Sequence, residues 1–138
     1  MQNEEKLLLH ELQYLANRKY IETQEFHDVI YFSDVEDMIT FIIKYVNTFY
    51  KVQRCKVPEG YGNRIYYIIE CKFKDKKVTL ISDSATDYSG HGNHDYKLME
   101  YFLKLLGVPI QDIPPHRLIN ILLNKMLEHS EEVTNVMR

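Results

Sequence analysis

The spacing of apolar residues in this chain changes near residue 47, and this change limits the folds that the chain can adopt. Before it, six apolar residues recur at intervals of three and four, as on one face of a helix. They are Val35, Met38, Ile39, Ile42, Ile43 and Val46. After it, apolar and polar residues alternate, as in a strand with one buried face. The clearest run is Ile65, Tyr67, Ile69, Cys71 and Phe73. A helix that leads into a sheet is therefore predicted.

Three strands are predicted in the middle of the chain, at Thr48–Val57, Arg64–Phe73 and Val78–Ile81. They are rich in aromatic and β-branched residues, and the segments between them contain the residue types of tight turns. Connections this short favour an antiparallel meander. Val29–Phe32 could add a short fourth strand.

Two amphipathic helices are predicted before the strands. In the first, at Asn3–Lys19, leucines fall on one face at helical spacing. The second begins at Ser33, because Ser33 and Glu36 have the spacing of a capping box. In that arrangement the hydroxyl and the carboxylate each accept a hydrogen bond from a backbone N–H at the helix start.

Two further helices are predicted after the strands. One begins at Asn93 or Asp95, either of which can cap it, and ends at Gly107. The other opens after Asp112 with two prolines, which a first helical turn tolerates. Its apolar residues are more numerous than a small core requires: Leu118, Ile119, Ile121, Leu122, Leu123, Met126 and Leu127. We therefore expect a homodimer that forms through this C-terminal helix. The alternative is a monomer in which four helices cover one sheet and bury the same residues.

Together these elements predict an α+β fold with the order α-α-β-β-β-α-α. Its sheet is antiparallel, with three to four strands, and its helices lie mainly on one face. The 138 residues contain no repeat, low-complexity tract or linker-like segment. Residues 1–138 are therefore predicted to form a single compact domain.

Composition and charge argue against several classes of protein. The net charge of -3 does not favour general binding to nucleic acids or anionic membranes. No apolar run approaches the length of a membrane span, and the first residues are polar and acidic, unlike an export signal. Cys55 and Cys71 are too few for a disulfide framework, so we expect reduced thiols in a cytoplasmic protein.

The amino-acid composition indicates the kind of genome that encodes the chain. Alanine occurs only at Ala16 and Ala85, whereas Ile, Lys, Tyr and Asn are plentiful. AT-rich coding produces this bias, and it indicates a low-GC bacterium, one of its phages or another AT-rich virus. If a phage or a mobile element encodes the chain, we expect it to act on a host component.

The segment Ser82–Asp95 is the place where acids, histidines, hydroxyls and glycines crowd together, and it is predicted to be a polar loop. Loops of this length tend to be functional. Its glycines permit close approach of the backbone, and the helix that follows offers free N–H groups to an anion. The candidate ligand-binding residues are Asp83, Ser84, Thr86, Asp87, Ser89, Gly90, His91, Gly92, Asn93 and His94.

A recognised catalytic set and a cofactor motif are missing from the sequence, since it contains neither a P-loop, a Gly-x-Gly-x-x-Gly fingerprint nor a Gly-x-Ser-x-Gly elbow. We therefore expect a non-enzymatic binding protein without a cofactor, which recognises a host macromolecule or a small anionic ligand through the Ser82–Asp95 loop. The alternative reading of the same loop is that Asp87, Asn93 and Asp95 only cap the following helix.

A metal-dependent hydrolase that acts on a phosphorylated substrate is a second hypothesis. The segment Gly92-Asn93-His94-Asp95 is similar to one motif of the binuclear metallophosphoesterases, in which Asn and His bind metal. The other motifs of that family are missing here. A looser site could still use Asp83, Asp87, His91 and His94, because histidine and carboxylate suit zinc or manganese.

RNA binding is a third hypothesis. Over Ser33–Gly107 the order α-β-β-β-α resembles that of the double-stranded-RNA-binding domain. The resemblance implies that the turn between the first two strands and the start of the last helix contact minor-groove hydroxyls and phosphates. The last helix lacks the several lysines that the family places at its start. The candidate contact residues are Arg64, Lys72, Lys74, Lys76, Lys77 and Lys97.

Overall fold

A computed structural model describes residues 29–123 of the chain. The elements, in chain order, are β1 (Val29–Phe32), α1 (Val35–Tyr45), β2 (Phe49–Glu59), β3 (Gly62–Phe73), β4 (Lys76–Thr86), α2 (His91–Leu106) and β5 (Gln111–Ile113). A third helix, α3, begins at residue 115 and is described through residue 123. The helix predicted at Asn3–Lys19 lies outside the described residues, as do Met126 and Leu127.

The fold is α+β, as predicted, but its sheet is mixed and has five strands in the order β1-β4-β3-β2-β5. The predicted antiparallel meander is present as β2, β3 and β4. Its two outer neighbours are parallel: β1 pairs with β4, and β5 pairs with β2. The prediction of an antiparallel sheet of three to four strands is therefore wrong in strand number and direction. Because β1 and β5 have only four and three residues, they carry too little periodic pattern to reveal their pairing.

The two helical crossovers explain where α1 and α2 lie. From β1 to β2 and from β4 to β5, the chain steps in the same direction across three positions of the sheet. Crossovers between parallel strands strongly favour one hand, so two that step in the same direction place both helices on the same face. The observed packing agrees with this rule, because buried side chains of both helices enter one core. This core, here called the α1/α2 core, includes Met38, Ile42, Met99, Leu103, Tyr67 and Leu80.

The opposite face of the sheet has its own core, which α3 covers. Here called the α3 core, it includes Cys55, Tyr66, Ile68, Ile81, Leu118, Ile119 and Leu122. Helices therefore lie on both faces of the sheet, and the prediction that they lie mainly on one face applies only to α1 and α2. Strands β2, β3 and β4 contribute apolar residues to both cores because alternate side chains point to opposite faces.

The positions at which the helices begin and end agree only in part with the positions predicted from the sequence. Asp34, not Ser33, is the N-cap of α1, and its carboxylate accepts a hydrogen bond from the backbone N–H of Asp37 at 3.0 Å. Gly107 ends α2 in the left-handed conformation, as predicted for a glycine at that position. Pro114 precedes α3, and its carbonyl accepts from the N–H of Arg117. Within residues 29–123, the helices are too short or too polar to cross a lipid bilayer.

The prediction that Ser82–Asp95 forms a loop is wrong. Strand β4 continues through Thr86, and α2 already begins at His91, so only residues 87–90 connect them. Thr86 pairs with Arg64, and Ser82 pairs with Tyr67, on the central strand β3. Ser82 and Thr86 are buried despite their polarity. Ser82, Ala85 and Thr86 pair with β3, although the register is irregular at residues 83 and 84. This tertiary interaction overrides the loop-like composition of the segment.

Candidate functional site

The connection between β4 and α2 lies against the turn between β2 and β3. The carboxylate of Asp87 accepts a hydrogen bond from the backbone N–H of Asn63 at 2.6 Å and from the Asn63 side-chain amide at 2.9 Å. In return, the N–H of Asp87 donates to the carbonyl of Asn63 at 3.0 Å. These bonds lower the pKa of the Asp87 carboxyl below its ordinary value, with the Asn63 amide as the largest cause. The carboxylate is thus fixed in its charged form.

A second set of hydrogen bonds joins the same two segments. The guanidinium of Arg64 donates to both carboxylate oxygens of Glu59, at 2.6 and 2.9 Å, and to the carbonyl of Asp83 at 2.8 Å. The hydroxyl of Tyr88 donates to Glu59 at 3.1 Å. Bidentate pairs of arginine and carboxylate fix geometry as well as charge. The β2–β3 turn and the β4–α2 connection are therefore held together as one unit.

Two glycines make this close approach possible. A Cβ on Gly62 would lie 2.5 Å from Asp87 Oδ1, and a Cβ on Gly92 would lie 2.5 Å from Thr86 Oγ1 and 2.9 Å from the Ser84 carbonyl oxygen. Gly92 had been expected to admit a ligand to the backbone. In the structure the space beside it is filled by β4, so this glycine serves internal packing instead.

The outer side of this unit is open to solvent. We call it the junction surface and define it as residues 59–63 of the β2–β3 turn and residues 87–94 of the connection and the start of α2. Its most exposed aromatic side chain is Tyr61, which is fully exposed at the tip of the turn. Ser89, Gly90 and His91 are also exposed.

The N-terminus of α2 opens onto the junction surface without a side-chain cap. Its N-cap is Gly90, no side chain among the described residues caps it, and its first turn contains no acidic residue. Asn93, which was predicted to cap this helix, lies inside it and donates to the Thr86 carbonyl at 3.4 Å. Asp87 is turned away to bind Asn63. The N–H of Asn93 donates to the Gly90 carbonyl at 3.2 Å, whereas no side chain of the described residues caps the N–H groups of His91 and Gly92, which can meet an outside acceptor.

The ten candidate ligand-binding residues are not all brought to one place. Asp83, Ser84 and Thr86 belong to β4, and Thr86 is buried. The Ser84 hydroxyl oxygen is also buried and has no hydrogen-bond partner among residues 29–123. His94 lies 3.7 Å from Glu36 of α1. The candidates that remain open on the junction surface are Ser89, Gly90, His91 and His94.

The four residues proposed for a metal site do not converge. Within residues 29–123 there is no group of three or more His, Cys, Asp and Glu side chains arranged to hold a metal ion. Asp87 is bound to Asn63, and His94 faces Glu36. Asp83, Asp87, His91 and His94 therefore do not form one coordination sphere in this structure.

The residues proposed for RNA contact fall into separate groups. Arg64 and Lys72 are eight residues apart on β3, which corresponds to about 26 Å. Arg64 is bound by Glu59, and Lys72 and Lys77 lie 3.7 Å from Asp75 and Glu70. Lys74 and Lys76 lie at the β3–β4 turn with Lys72 and Lys77, whereas Lys97 is on α2. The predicted α-β-β-β-α order is present, but the predicted basic contacts are divided between two ends of the sheet.

Sequence reasoning missed a charged cluster centred on Arg54 of β2. Its guanidinium donates to both carboxylate oxygens of Asp112 on β5, at 2.7 and 3.0 Å, and to Glu100 on α2. The buried Tyr67 hydroxyl donates to the same Glu100 at 3.0 Å. The cluster thus ties β5 and α2 to the middle of the sheet. The available signal was an arginine in a strand next to buried Val52 and Cys55, since a cation there needs a partner.

A groove of about 310 Å³ lies away from the junction surface. It runs between residues 49–52 of β2 and residues 108–111, which precede and begin β5. None of the candidate ligand-binding residues lines it.

No family model, curated protein or solved structure matches the chain.

Proposed function

We propose that this chain is a non-enzymatic binding protein that recognises another protein through the junction surface. One observation carries the proposal: hydrogen bonds that Asn63 donates to Asp87, Arg64 donates to the Asp83 carbonyl and Tyr88 donates to Glu59 join two separate segments into one solvent-facing unit. A surface that is already ordered loses little conformational entropy on binding, so more of its contact energy contributes to affinity.

The composition of the junction surface suits protein recognition. Residues 59–63 and 87–94 consist mainly of Tyr, Ser, Gly, Asn and His. Binding loops of antibodies favour Tyr, Ser, Gly and Asn, because Tyr offers a large amphipathic contact area and the others offer adaptable hydrogen bonds. Tyr61 is fully exposed and is the natural anchor of such a contact.

The chemistry of the partner follows from the α2 N-terminus. The uncapped backbone N–H groups of His91 and Gly92 and the positive end of the helix dipole favour a negative group. His91 is exposed beside them and can donate a further hydrogen bond. We infer that the partner places an acidic side chain at the start of α2 while its apolar surface contacts Tyr61.

The predicted origin and location add detail to the proposal. Coding by a phage or a mobile element would make the partner a host protein. A cytoplasmic location would bring both proteins into the same compartment and keep Cys55 and Cys71 reduced.

Site-specific crosslinking tests the proposal. A photoreactive phenylalanine analogue replaces Tyr61 in the chain expressed in cells of its source, and the matched control carries it at Tyr50, which is also exposed but lies on β2. We expect one protein to be crosslinked through position 61 and not through position 50. The purified partner is then titrated by calorimetry against the wild type and Tyr61→Ala, and the variant is expected to bind at least about 10-fold more weakly.

A second variant tests the acidic contact. His91→Asp puts a carboxylate at the first turn of α2, where it competes with the partner's acid but favours the helix itself. We expect weaker partner binding together with unchanged or higher thermal stability. His116→Asp makes the same substitution in the first turn of α3 and is expected to leave binding unchanged. Equal crosslinking at positions 61 and 50, or retention of RNA in place of a protein, would contradict the proposal.

A further inference from the structure

Helices α1 and α2 run in the same direction, side by side, on one face of the sheet. Their starts meet where His94 of α2 lies 3.7 Å from Glu36 of α1. The end of α1 packs on the end of β3, with the Tyr45 and Phe73 rings 5.3 Å apart. After α2, residues 108–111 border the start of β2, which pairs with the same end of β3. Both helices therefore run from the β4–α2 connection toward the β3–β4 turn.

The outer side of this helix pair exposes large apolar side chains. Ile43 of α1 is 70 % exposed, and Tyr101 and Leu105 of α2 are 62 % and 68 % exposed. Ile43 follows Glu36 by seven residues, and Tyr101 follows His94 by seven residues. Two helical turns, about 10 Å, therefore separate each from the point where the helices meet, so Ile43 and Tyr101 lie level with each other. We call Ile43, Tyr101 and Leu105 the helix-face patch.

Charged residues at the two ends of the helix pair have opposite signs. Glu36 and Asp37 lie in the first turn of α1, and Lys44 lies in its last turn. Lys104 lies in the last turn of α2, whose first turn contains no acid. The helix-face patch thus lies between an acidic end and a basic end.

From this arrangement we propose that the helix-face patch binds a second copy of the same chain in a two-fold symmetric dimer. A two-fold axis through the patch reverses the helix direction of the second copy, so the acidic end of each protomer meets the basic end of the other. Glu36 and Asp37 of one protomer face Lys44 and Lys104 of its partner. The two-fold axis repeats this contact at the other end of the interface. The surface is therefore complementary to itself in both apolar area and charge.

The helix-face patch suits a dimer better than the C-terminal helix does in its described part. Leu118, Ile119 and Leu122 of α3 are buried in the α3 core of their own chain. These residues need no partner, whereas Ile43, Tyr101 and Leu105 remain exposed. Large exposed apolar side chains at the centre of a patch with a charged rim are typical of an interface.

Sedimentation velocity of the full chain tests the proposal over micromolar to millimolar concentrations. We expect a species of twice the chain mass. Tyr101→Glu and Ile43→Glu should each raise the dimer dissociation constant about 100-fold or more, because symmetry places each substitution in the interface twice. Tyr50→Glu is the matched control on β2 and should leave the dimer unchanged. A monomeric wild type, or a dimer that survives both helix substitutions, overturns the proposal. Circular dichroism confirms that each variant is folded.

Charge reversal tests the symmetry itself. One variant carries Glu36→Lys and Asp37→Lys, and another carries Lys44→Glu and Lys104→Glu. Each alone brings like charges together at both ends, so each should be a monomer where the wild type is a dimer. An equimolar mixture of the two restores opposite charges at both ends and should form a heterodimer. Failure of the mixture to associate overturns the two-fold pairing.

The dimer does not depend on the proposed function of the junction surface. Tyr61→Ala should weaken recognition of the partner protein at least about 10-fold and leave the dimer intact, whereas Tyr101→Glu should weaken the dimer and leave recognition of the partner intact. A wild type that dimerises without a crosslinked partner would contradict only the proposed function, and a monomeric wild type that is crosslinked to a partner would contradict only the dimer.

Discussion

Asp87 and Asn63 are 24 residues apart in the sequence, yet the carboxylate of Asp87 accepts two hydrogen bonds from Asn63, one from the backbone and one from the side chain. This contact joins the first residue after β4 to the first residues of β3. It also keeps Asp87 away from the start of α2, which it could otherwise cap. A single carboxylate thus stabilises the junction surface and leaves the helix N-terminus open.

Asp87→Ala should therefore destabilise the chain by about 1–2 kcal/mol at neutral pH, because Asn63 loses an acceptor for two donors. The pKa of Asp87 is lowered by folding from an ordinary 3.8. A lowered pKa means that its contribution is present above that ordinary value and is lost as the pH falls through the folded-state pKa. Urea denaturation at neutral pH and at about pH 2 measures the difference.

Asp95→Ala is the control for this prediction, since Asp95 is a carboxyl on α2 outside the Asn63 contact. It should have little effect at either pH. A difference between wild type and Asp87→Ala that stays constant from neutral pH to about pH 2 would show that the charged form of Asp87 makes no special contribution.

The central part of the fold could be predicted because its signals are local. The alternation in β3 and the helical spacing in α1 follow directly from which side chains are buried. The parallel pairing of β1 and β5 could not be predicted, since it depends on which neighbours these short strands meet. Asp112 illustrates this limit: it was expected to open a helix, but it lies in β5 beside Arg54.

The local structure of the candidate site could be predicted only in part. The polar composition of residues 82–95 suggested a loop, but Ser82 and Thr86 are buried in a strand because β3 pairs with them. Composition reports how a segment interacts with water, whereas pairing across the sheet requires knowledge of the partner strand. Asn63, Glu59 and Tyr61 lie in a different segment, so no spacing rule connects them with residues 87–94.

Arg54 should be the most sensitive charged residue of the described fold. Its side chain is mostly buried and binds Asp112 and Glu100. Arg54→Met leaves two carboxylates without their cation and should cost about 2–4 kcal/mol. Asp112→Asn should cost only about 1 kcal/mol, because the Asp112 side chain is largely exposed and solvent screens it. Urea denaturation of both single variants and of the double variant measures their coupling.

Arg54→Lys provides the control for geometry. A lysine keeps the charge but cannot bind Asp112 through two parallel N–H groups while it also reaches Glu100. The free energy of unfolding of Arg54→Lys should exceed that of Arg54→Met by less than half of the difference between the wild type and Arg54→Met. Full recovery would show that charge alone, without the planar guanidinium, holds β5 and α2 to the sheet.

Two substitutions in the β3–β4 turn should make the folded chain more stable. Lys74 and Asp75 have φ values of 49° and 62°, a left-handed conformation that costs energy for both residue types. A two-residue hairpin turn of this kind favours Asn-Gly. Lys74→Asn with Asp75→Gly should therefore raise the free energy of unfolding by about 1 kcal/mol, although the weak Lys72–Asp75 ion pair is lost. Thermal unfolding followed by circular dichroism measures the change.

Gly60 allows the opposite experiment at the β2–β3 turn. Its φ is +62°, and apart from the glycine and its chain neighbours no atom of residues 29–123 lies within 4 Å of the position that a Cβ would occupy. Gly60→Ala should therefore destabilise the chain by about 1 kcal/mol through backbone conformation alone. If both turn variants shifted stability in the same direction, backbone conformation would not be the cause.

Cys55 and Cys71 should be unreactive in the folded chain. Both are fully buried, and burial raises the pKa of each thiol to about 12. Cys55 lies in the α3 core and Cys71 in the α1/α2 core, so the sheet separates them. Ellman's reagent should therefore detect almost no thiol at about pH 8 in the native state and both thiols after unfolding in guanidinium. Tyr61→Cys supplies an exposed thiol as the positive control. Rapid modification of either native cysteine in the folded wild type would contradict the burial that both cores require.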